Sequence, residues 1–204
     1  MRCFGDGNEL YSDYHDHEWG RPVLDERGLF ERICLESFQS GLSWLIVLRK
    51  RAHLREVFCA FDPQEVARFE AADVNRLLGD AGTIRNRAKI EAAVANARAT
   101  LDLRESPTPF AELVWSFRPN PRVAPRSFAQ LPSFTPESTA LAKALKRNGF
   151  RFVGPTTAYA LMQACGLIND HLDGCVVRDE VAGDQASVPL DALAGGSSTM
   201  GGLR

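Results

Sequence analysis

The chain has 204 residues, 45% of them hydrophobic, with 24 basic and 26 acidic side chains, enough for one compact domain. No basic start leads into an apolar stretch and no run of 18 apolar residues occurs, which argues against a signal peptide or a membrane-spanning helix and predicts a cytoplasmic protein. The formal net charge of −2 is uneven: residues 179–204, rich in Gly, Ser and Ala, read as a flexible tail with four acids against Arg204, which leaves residues 1–178 at +1 (23 basic, 22 acidic) and compatible with an anionic partner.

In chain order, the first informative stretch is "YSDYHDHEWG", residues 11–20, which crowds Tyr11, Tyr14, His15, His17 and Trp19 among acids. It is too polar for a core segment and too aromatic for a plain loop. "CLESFQSGLSW", residues 34–44, looks buried, yet it sets Glu36 among Leu35, Phe38 and Trp44. A carboxylate in apolar surroundings is costly unless paired, so Glu36 either bridges to an arginine such as Arg32 or faces a ligand. Basic clusters at 49–51, 85–89 and 143–147 are each readable as a solvated helix face. Asp62, Pro63 and Glu65 predict a helix start with a cap, an N1 proline and a capping box. In "RNRAKIEAAVANARATLDL", Ile90, Ala93, Val94, Ala97 and Leu101 recur at threes and fours, the period of a helix with one buried stripe. The Pro-rich "SPTP" and "RPNPRVAPRS" join helical parts, and Thr135, Pro136 and Gly149 bound a further helix. With no alternation of strands and helices, the predicted architecture is all-α, built from many short helices.

Two later segments carry chemistry. "RNGFRFVGPTTAYALMQACG", residues 147–166, predicts a helix stop at Gly149, a tight turn and a new helix opened by Pro155, a helix-hairpin-helix pattern. Gly154 and the free N–H groups of Thr156 and Thr157 would then stand at a helix N-terminus, where a phosphate oxygen meets dipole and donors together. Glycine there lets a DNA backbone approach closely; the competing reading is an ordinary corner between two helices. In "NDHLDGCVV", His171 and Cys175 are four apart, so a short helix could turn both to one side and supply half of a tetrahedral metal site. The five cysteines are an odd set expected to be reduced, and Cys34, Cys59 and Cys165, each in an apolar helical run, are predicted core residues.

Through "YHDHEWG", "CLESFQSGLSW", "DAGTIRNRAKI", "NGFRFVGPTTAYALMQACGLINDH" and "HLDGC", spread in order over residues 3–177, the chain resembles the 3-methyladenine DNA glycosylase I family of the helix-hairpin-helix superfamily. The resemblance implies an all-helical glycosylase domain over residues 1–178, alkylated duplex DNA as partner, and hydrolysis of the N-glycosidic bond of 3-methyladenine by a monomer without lyase activity. It also implies one structural zinc ion held by Cys3, His15, His171 and Cys175, tying the N- and C-terminal segments together with no coordination position left for water. His15, directly after the tyrosine, takes the ligand position, and His17 is left to face solvent. By family position, Tyr14 and Trp44 border the flipped base, Glu36 accepts from the adenine amine, and Tyr11 offers a further hydrogen bond in the pocket. Leu42 fills the gap left in the duplex, while Gly154, Thr156 and Thr157 meet the DNA backbone. Many relatives in the superfamily use an Asp soon after the hairpin; here Asp170 lies in that neighbourhood, but Asn169 or Asp170 reads naturally as a helix cap. One departure is Phe4 followed by Gly5, where family members often carry a Trp, and it bears on base affinity. A non-catalytic DNA-binding module and a zinc hydrolase are the readings from other classes. The aromatic and acidic segments argue against the first, and four metal ligands against the second.

Overall fold

A computed structural model describes residues 1–189, and among these every regular element is helical. The α-helices are α1 (Glu9–His17), α2 (Glu26–Gln39), α3 (Trp44–Val57), α4 (Pro63–Ala67), α5 (Ala71–Gly79), α6 (Arg87–Arg104), α7 (Phe110–Trp115), α8 (Pro136–Arg147), α9 (Pro155–Ala164) and α10 (Arg178–Ala186), with 3-10 turns at Cys59–Phe61 and Phe128–Gln130. Local chemistry sets many of the starts. Side-chain oxygens of Asn8, Asp25, Asp62 and Asn86 accept from first-turn N–H groups, donors that a helix leaves unpaired. The capping box expected at Glu65 does not form, because that carboxylate takes Arg68 at 2.8 Å. Thr135 does form one, with Ser138, ahead of Pro136. Gly149 then ends α8 at φ +88°, and Phe150 N–H reaches back to Leu145 O at 3.1 Å, closing the last carbonyls as a left-handed glycine cap does.

α2 is buried almost all round, from Leu29 to Phe38, because α3, α6 and α9 pack against it. The alanines of α6 give it a narrow profile, which lets α2 and α4 approach. Phe30, Phe38, Phe58, Phe61 and Phe110 are fully buried, each a side chain whose truncation to Ala costs about 3–5 kcal/mol. Cys34 and Cys165 lie in this core as expected, whereas Cys59 is exposed. The reason is a run of three left-handed residues, Cys59, Ala60 and Phe61. It turns the chain so that the Phe58 and Phe61 rings stack inside at 5.5 Å and Cys59 swings out. Left-handed backbone costs roughly 1–2 kcal/mol per residue, a cost that burying two phenyl rings offsets.

The predicted tail needs correction over its first part. Residues 178–186 form α10, with Val181 fully buried and Gln185 donating to Gly20 O at 2.9 Å. Arg21 pairs with Glu180 at 2.9 Å and Asp184 at 2.5 Å, so acids that read as tail charge hold this helix to the loop after α1. Residues 190–204 of the expected tail lie outside the described residues.

Candidate active site and metal-ligating cluster

A cleft of about 490 Å³ opens between the N-terminal segment, α2, the start of α3, α9 and residues 128–133. Tyr14 and His15 are consecutive on α1 and serve two different sites: Tyr14 lines the cleft, and His15 turns into a cysteine–histidine cluster. Tyr11, one turn before Tyr14, also lines the cleft, and Trp44 stands 5.2 Å from Tyr14, ring centroid to centroid. Phe4 packs on Tyr11 at 4.8 Å and Trp19 at 5.0 Å, so it fills the edge of the cleft as an aromatic wall. From α9 the cleft receives Thr156, Tyr159, Ala160 and Gln163, an i, i+3, i+4, i+7 stripe.

Glu36 lines this cleft and is only 5% exposed. Burial pushes its pKa up to about 8, with the charge of Arg32 opposing the shift. The expected bridge to Arg32 is not made. Arg32 gives Nη2 to Glu18 at 2.7 Å, and Arg51 grips the same carboxylate at 2.6 and 2.7 Å. Burial would raise Glu18, but the two guanidinium groups hold it down to about 2. Glu36 makes no hydrogen bond or ion pair among the described residues, and Trp44 Nε1–H in the same cleft and Arg32 Nη1 are buried without a partner. Tyr14 is buried too, and burial followed by the nearby Glu36 charge raises its phenol well above the ordinary range.

Asp170, 1% exposed, is the opposite case. It accepts from Tyr159 Oη at 2.6 Å and Gln163 Nε2 at 2.7 Å, and pairs with Arg122. It caps no helix; Asn169 does the local work, its Oδ1 accepting from His171 N–H at 3.2 Å.

Cys3, His15, His171 and Cys175 bring one ligand atom each into a group in which all lie within 4.8 Å of one another. Cys175 Sγ is 3.4 Å from both His15 Nε2 and His171 Nδ1, and Cys3 Sγ is 3.6 Å from His171 Nδ1. Each imidazole is oriented by its other nitrogen: His15 Nδ1 meets Asp16 at 2.7 Å, and His171 Nε2 meets Trp19 O at 3.0 Å. Burial holds His171 neutral, down to about 4, the form that can ligate. Gly20 is required here, since a Cβ at its φ of +83° would stand 3.1 Å from His171 Nε2. His171 and Cys175 do not share a helix as the spacing suggested; a turn with Cys175 N–H on Leu172 O brings them together. His17 lies outside the cluster, 70% exposed and 2.9 Å from Asp13.

Leu42 sits in the turn between α2 and α3, 38% exposed. Lys89 braces that turn by donating to Phe38 O at 2.9 Å and to Ser40 O. Gly154 is the N-cap of α9, and the N–H groups of Thr156 and Thr157 behind it have no acceptor among the described residues. A Cβ at Gly154 would meet nothing within 4 Å, so the fold itself does not demand glycine there. The basic clusters are partly consumed inside the molecule. Lys50 holds the Ala81 and Gly82 carbonyls, Arg51 is on Glu18, and Arg87 reaches Asn75. Arg49, Arg85, Lys143, Lys146 and Arg147 are exposed and make no ion pair among the described residues. Sequence reasoning did not find Trp19, Gln39, Phe128, Tyr159 or Gln163 at the cleft. Tyr159 and Gln163 had a signal, polar residues four apart on an otherwise apolar helix; Phe128 lies in an irregular connection and had none.

The described residues form an all-helical body with an aromatic cleft around a buried carboxylate, and the relatives that it matches are glycosylases, hydrolases of N-glycosyl bonds. The methyladenine glycosylase family matches residues 4–179, and the chain belongs to that family. It is 51% identical over 168 residues to DNA-3-methyladenine glycosylase 1 of Escherichia coli K12, covering 81% of this chain and 90% of that protein. To the DNA-3-methyladenine glycosylase of Haemophilus influenzae it is 46% identical over 178 residues, 85% of this chain and 96% of the relative. Among solved structures, a 3-methyladenine DNA glycosylase I superposes with a TM-score of 0.83 at 50% identity, covering 86% and 98% of the two chains. The Staphylococcus aureus enzyme, whose structure addresses 3-methyladenine recognition, gives 0.82 at 34% identity, covering 86% and 95%.

Proposed function

We propose that this protein excises 3-methyladenine from alkylated duplex DNA by hydrolysing its N-glycosidic bond, acting as a monomer without lyase chemistry. The observation that carries the reading is Glu36, a carboxylate desolvated inside an aromatic cleft with no partner of its own. Such a group is poised for a ligand that brings a donor and positive charge together. N3-methylation places that charge on the base within the nucleotide and makes it a good leaving group. Tyr14 and Trp44 offer it aromatic faces, and Glu36 accepts from the exocyclic amine while offsetting the charge. A glycosidic bond inside the stack is out of reach, so the nucleotide swings out into the cleft, and exposed Leu42, on the turn braced by Lys89, fills the space it leaves. α8, the turn through Gly154 and α9 serve as a helix-hairpin-helix unit, with the open N–H groups of Thr156 and Thr157 taking a phosphate. No lysine lines the cleft, which fits hydrolysis without a Schiff base. Asp170 is fully engaged by Arg122, Tyr159 and Gln163, and we give it no direct contact with the reacting sugar.

The cluster fits zinc. Sulfur and nitrogen ligands about 2.3 and 2.0–2.1 Å from a tetrahedral ion stand about 3.6 Å apart; three of the sulfur–nitrogen contacts are 3.4–3.6 Å, and all four ligand atoms lie within 4.8 Å of one another. Cys3, His15, His171 and Cys175 would fill the coordination sphere, so the ion supplies cross-linking rather than activated water, unlike a zinc hydrolase with an open position. Among the described residues no helix is long and apolar enough to cross a membrane. The test is release of free base from methylated duplex DNA by the purified protein, with 3-methyladenine scored against 7-methylguanine. Release of 3-methyladenine supports the reading, and binding of duplex without base release would reduce the protein to a DNA-binding module.

A further inference from the structure

We propose that Gln163, its amide turned by Asp170, is the fixed acceptor that distinguishes an exocyclic amine from a carbonyl on the bound base. The inference rests on the base-excision reading above and concerns a residue which that reading leaves without a role. Gln163 is half-buried on the cleft stripe of α9, one turn beyond Tyr159. Its Nε2 donates to Asp170 Oδ2 at 2.7 Å. Asp170 also takes the Arg122 guanidinium and the Tyr159 hydroxyl, so it is a carboxylate that only accepts. The Gln163 amide therefore has one orientation, NH2 toward Asp170 and Oε1 away from it; turned over, it would set oxygen against oxygen. Tyr159 is saturated in the same network, donating to Asp170 and accepting from Arg122, and brings only its ring to the cleft.

The other polar groups of the cleft lack this fixity. Tyr11, Tyr14, Ser133 and Thr156 carry hydroxyls that donate or accept as needed. Gln39 makes no side-chain hydrogen bond among the described residues that would fix its amide. Trp44 Nε1 is a fixed donor, suited to a ring nitrogen or a carbonyl and not to an amine. Glu36 makes no hydrogen bond among the described residues that would fix its state, so as a carboxylate it meets an amine and as an acid a carbonyl. Discrimination at the six-position of a purine then falls to Gln163. An adenine amine satisfies Oε1, whereas a guanine carbonyl faces it lone pair to lone pair and leaves both acceptors unpaired, a mismatch large enough for about tenfold to hundredfold selectivity.

The experiment is single-turnover release from methylated duplex DNA containing both 3-methyladenine and 3-methylguanine, which share the N3 methyl group and its charge and differ at the six-position, with guanine also carrying a two-amino group. Parental protein that releases neither base would sink the base-excision reading itself. Given parental release, Gln163→Met, which keeps the length and removes the acceptor, should lower the 3-methyladenine to 3-methylguanine ratio about tenfold or more, chiefly through slower adenine release. Asp170→Asn, which can donate to the amide and let it turn over, should move the ratio the same way while Gln163 is still present. Because Asp170 adjoins His171, its melting temperature is measured alongside, and Gln163→Met decides alone if that variant does not fold. Equal loss on both bases, or a ratio unchanged or raised in Gln163→Met, would overturn the proposal by making Gln163 a wall of the cleft and nothing more.

Discussion

The cysteine–histidine cluster and the cleft share a wall yet treat polar groups in opposite ways. Tyr14 and His15 are neighbours in sequence, and Trp19 both borders the cleft and lies 4.6 Å from the His171 ring. In the cluster, each imidazole nitrogen that does not point at a sulfur is oriented by Asp16 or by a carbonyl. In the cleft, Glu36 makes no hydrogen bond or ion pair among the described residues although Arg32, turned to Glu18 through Nη2, lies close by, and Trp44 Nε1–H is buried without an acceptor. A satisfied set of buried donors fixes structure; an unsatisfied one stores a demand that only a ligand meets. The contrast assigns the cluster to holding the chain and the cleft to chemistry.

The strongest way to break that assignment is to remove the cluster. Cys175→Ala should abolish binding of about one zinc per chain and lower the melting temperature more than any substitution in the cleft or at the DNA-facing turns. Apparent zinc energies of about 10–16 kcal/mol in small zinc-finger peptides set the upper scale. Elemental analysis and a thermal melt check it, and a zinc-free protein that remains folded and active would remove the structural role.

The cleft should respond in the reverse sense. Glu36→Gln keeps shape and an acceptor but loses the charge, and should slow 3-methyladenine release about tenfold to hundredfold, roughly 1–3 kcal/mol, with duplex affinity nearly unchanged. Stability should move the other way. A buried carboxyl raised to about 8 binds its proton more tightly folded than unfolded, so its penalty is absent below the ordinary carboxylate range and grows until pH passes about 8. The Gln variant should therefore melt higher than the parent at pH 9 and no higher at pH 4. The same titration predicts that kcat/KM on methylated duplex rises with pH to about 8 in the parent and loses that limb in Glu36→Gln. A pH-independent parent would mean that Glu36 is already ionised and paired.

Smaller effects should sharpen the border between fold and DNA contact. Gly154 has free space where a side chain would go, so Gly154→Leu should lower the melting temperature only slightly, by the poorer N-cap, and weaken all duplexes alike. Parental affinity should fall with salt at a slope of about −0.9 per neutralised phosphate, and the variant's slope should be shallower if a phosphate contact is lost. Leu42→Ala, at an exposed position, is expected to cost the least, a few-fold in release with unchanged stability, on the order of 1 kcal/mol. Fluorescence titration across a salt series and the base-release assay read both.

What could be read in the sequence was what local rules determine. α6 follows from its apolar period, and α8 from Thr135, Pro136 and Gly149, because caps and periodicity act within a few residues. The family resemblance groups Cys3, His15, His171 and Cys175, and the structure brings them within ligating distance of one another. The misses are tertiary. α10 is poor in apolar residues and reads as tail; it is a helix because Arg21 and Gly20 reach it from the other end of the chain. Cys59 reads as buried because a left-handed turn is invisible to a helical period. A Glu36–Arg32 pair is reasonable at one turn's separation, but Arg32 turns Nη2 to Glu18, 14 residues before it, and leaves Nη1 unpaired rather than on Glu36.

The pairing of Cys3 with His171 spans 168 positions, and that has a consequence for how the molecule is made. A ribosome adds about 5–20 residues per second, so the first thiol waits about 10–30 s before its partners exist. During that wait α1 lacks the imidazole of His171 against His15, and the loop after it lacks α10, so its aromatic side chains are open to solvent and to other nascent chains. Metal supply and synthesis rate should then govern soluble yield together: slow translation in zinc-poor cells should favour aggregates, and a permuted gene that encodes residues 165–189 ahead of residue 1 should shorten the exposed interval.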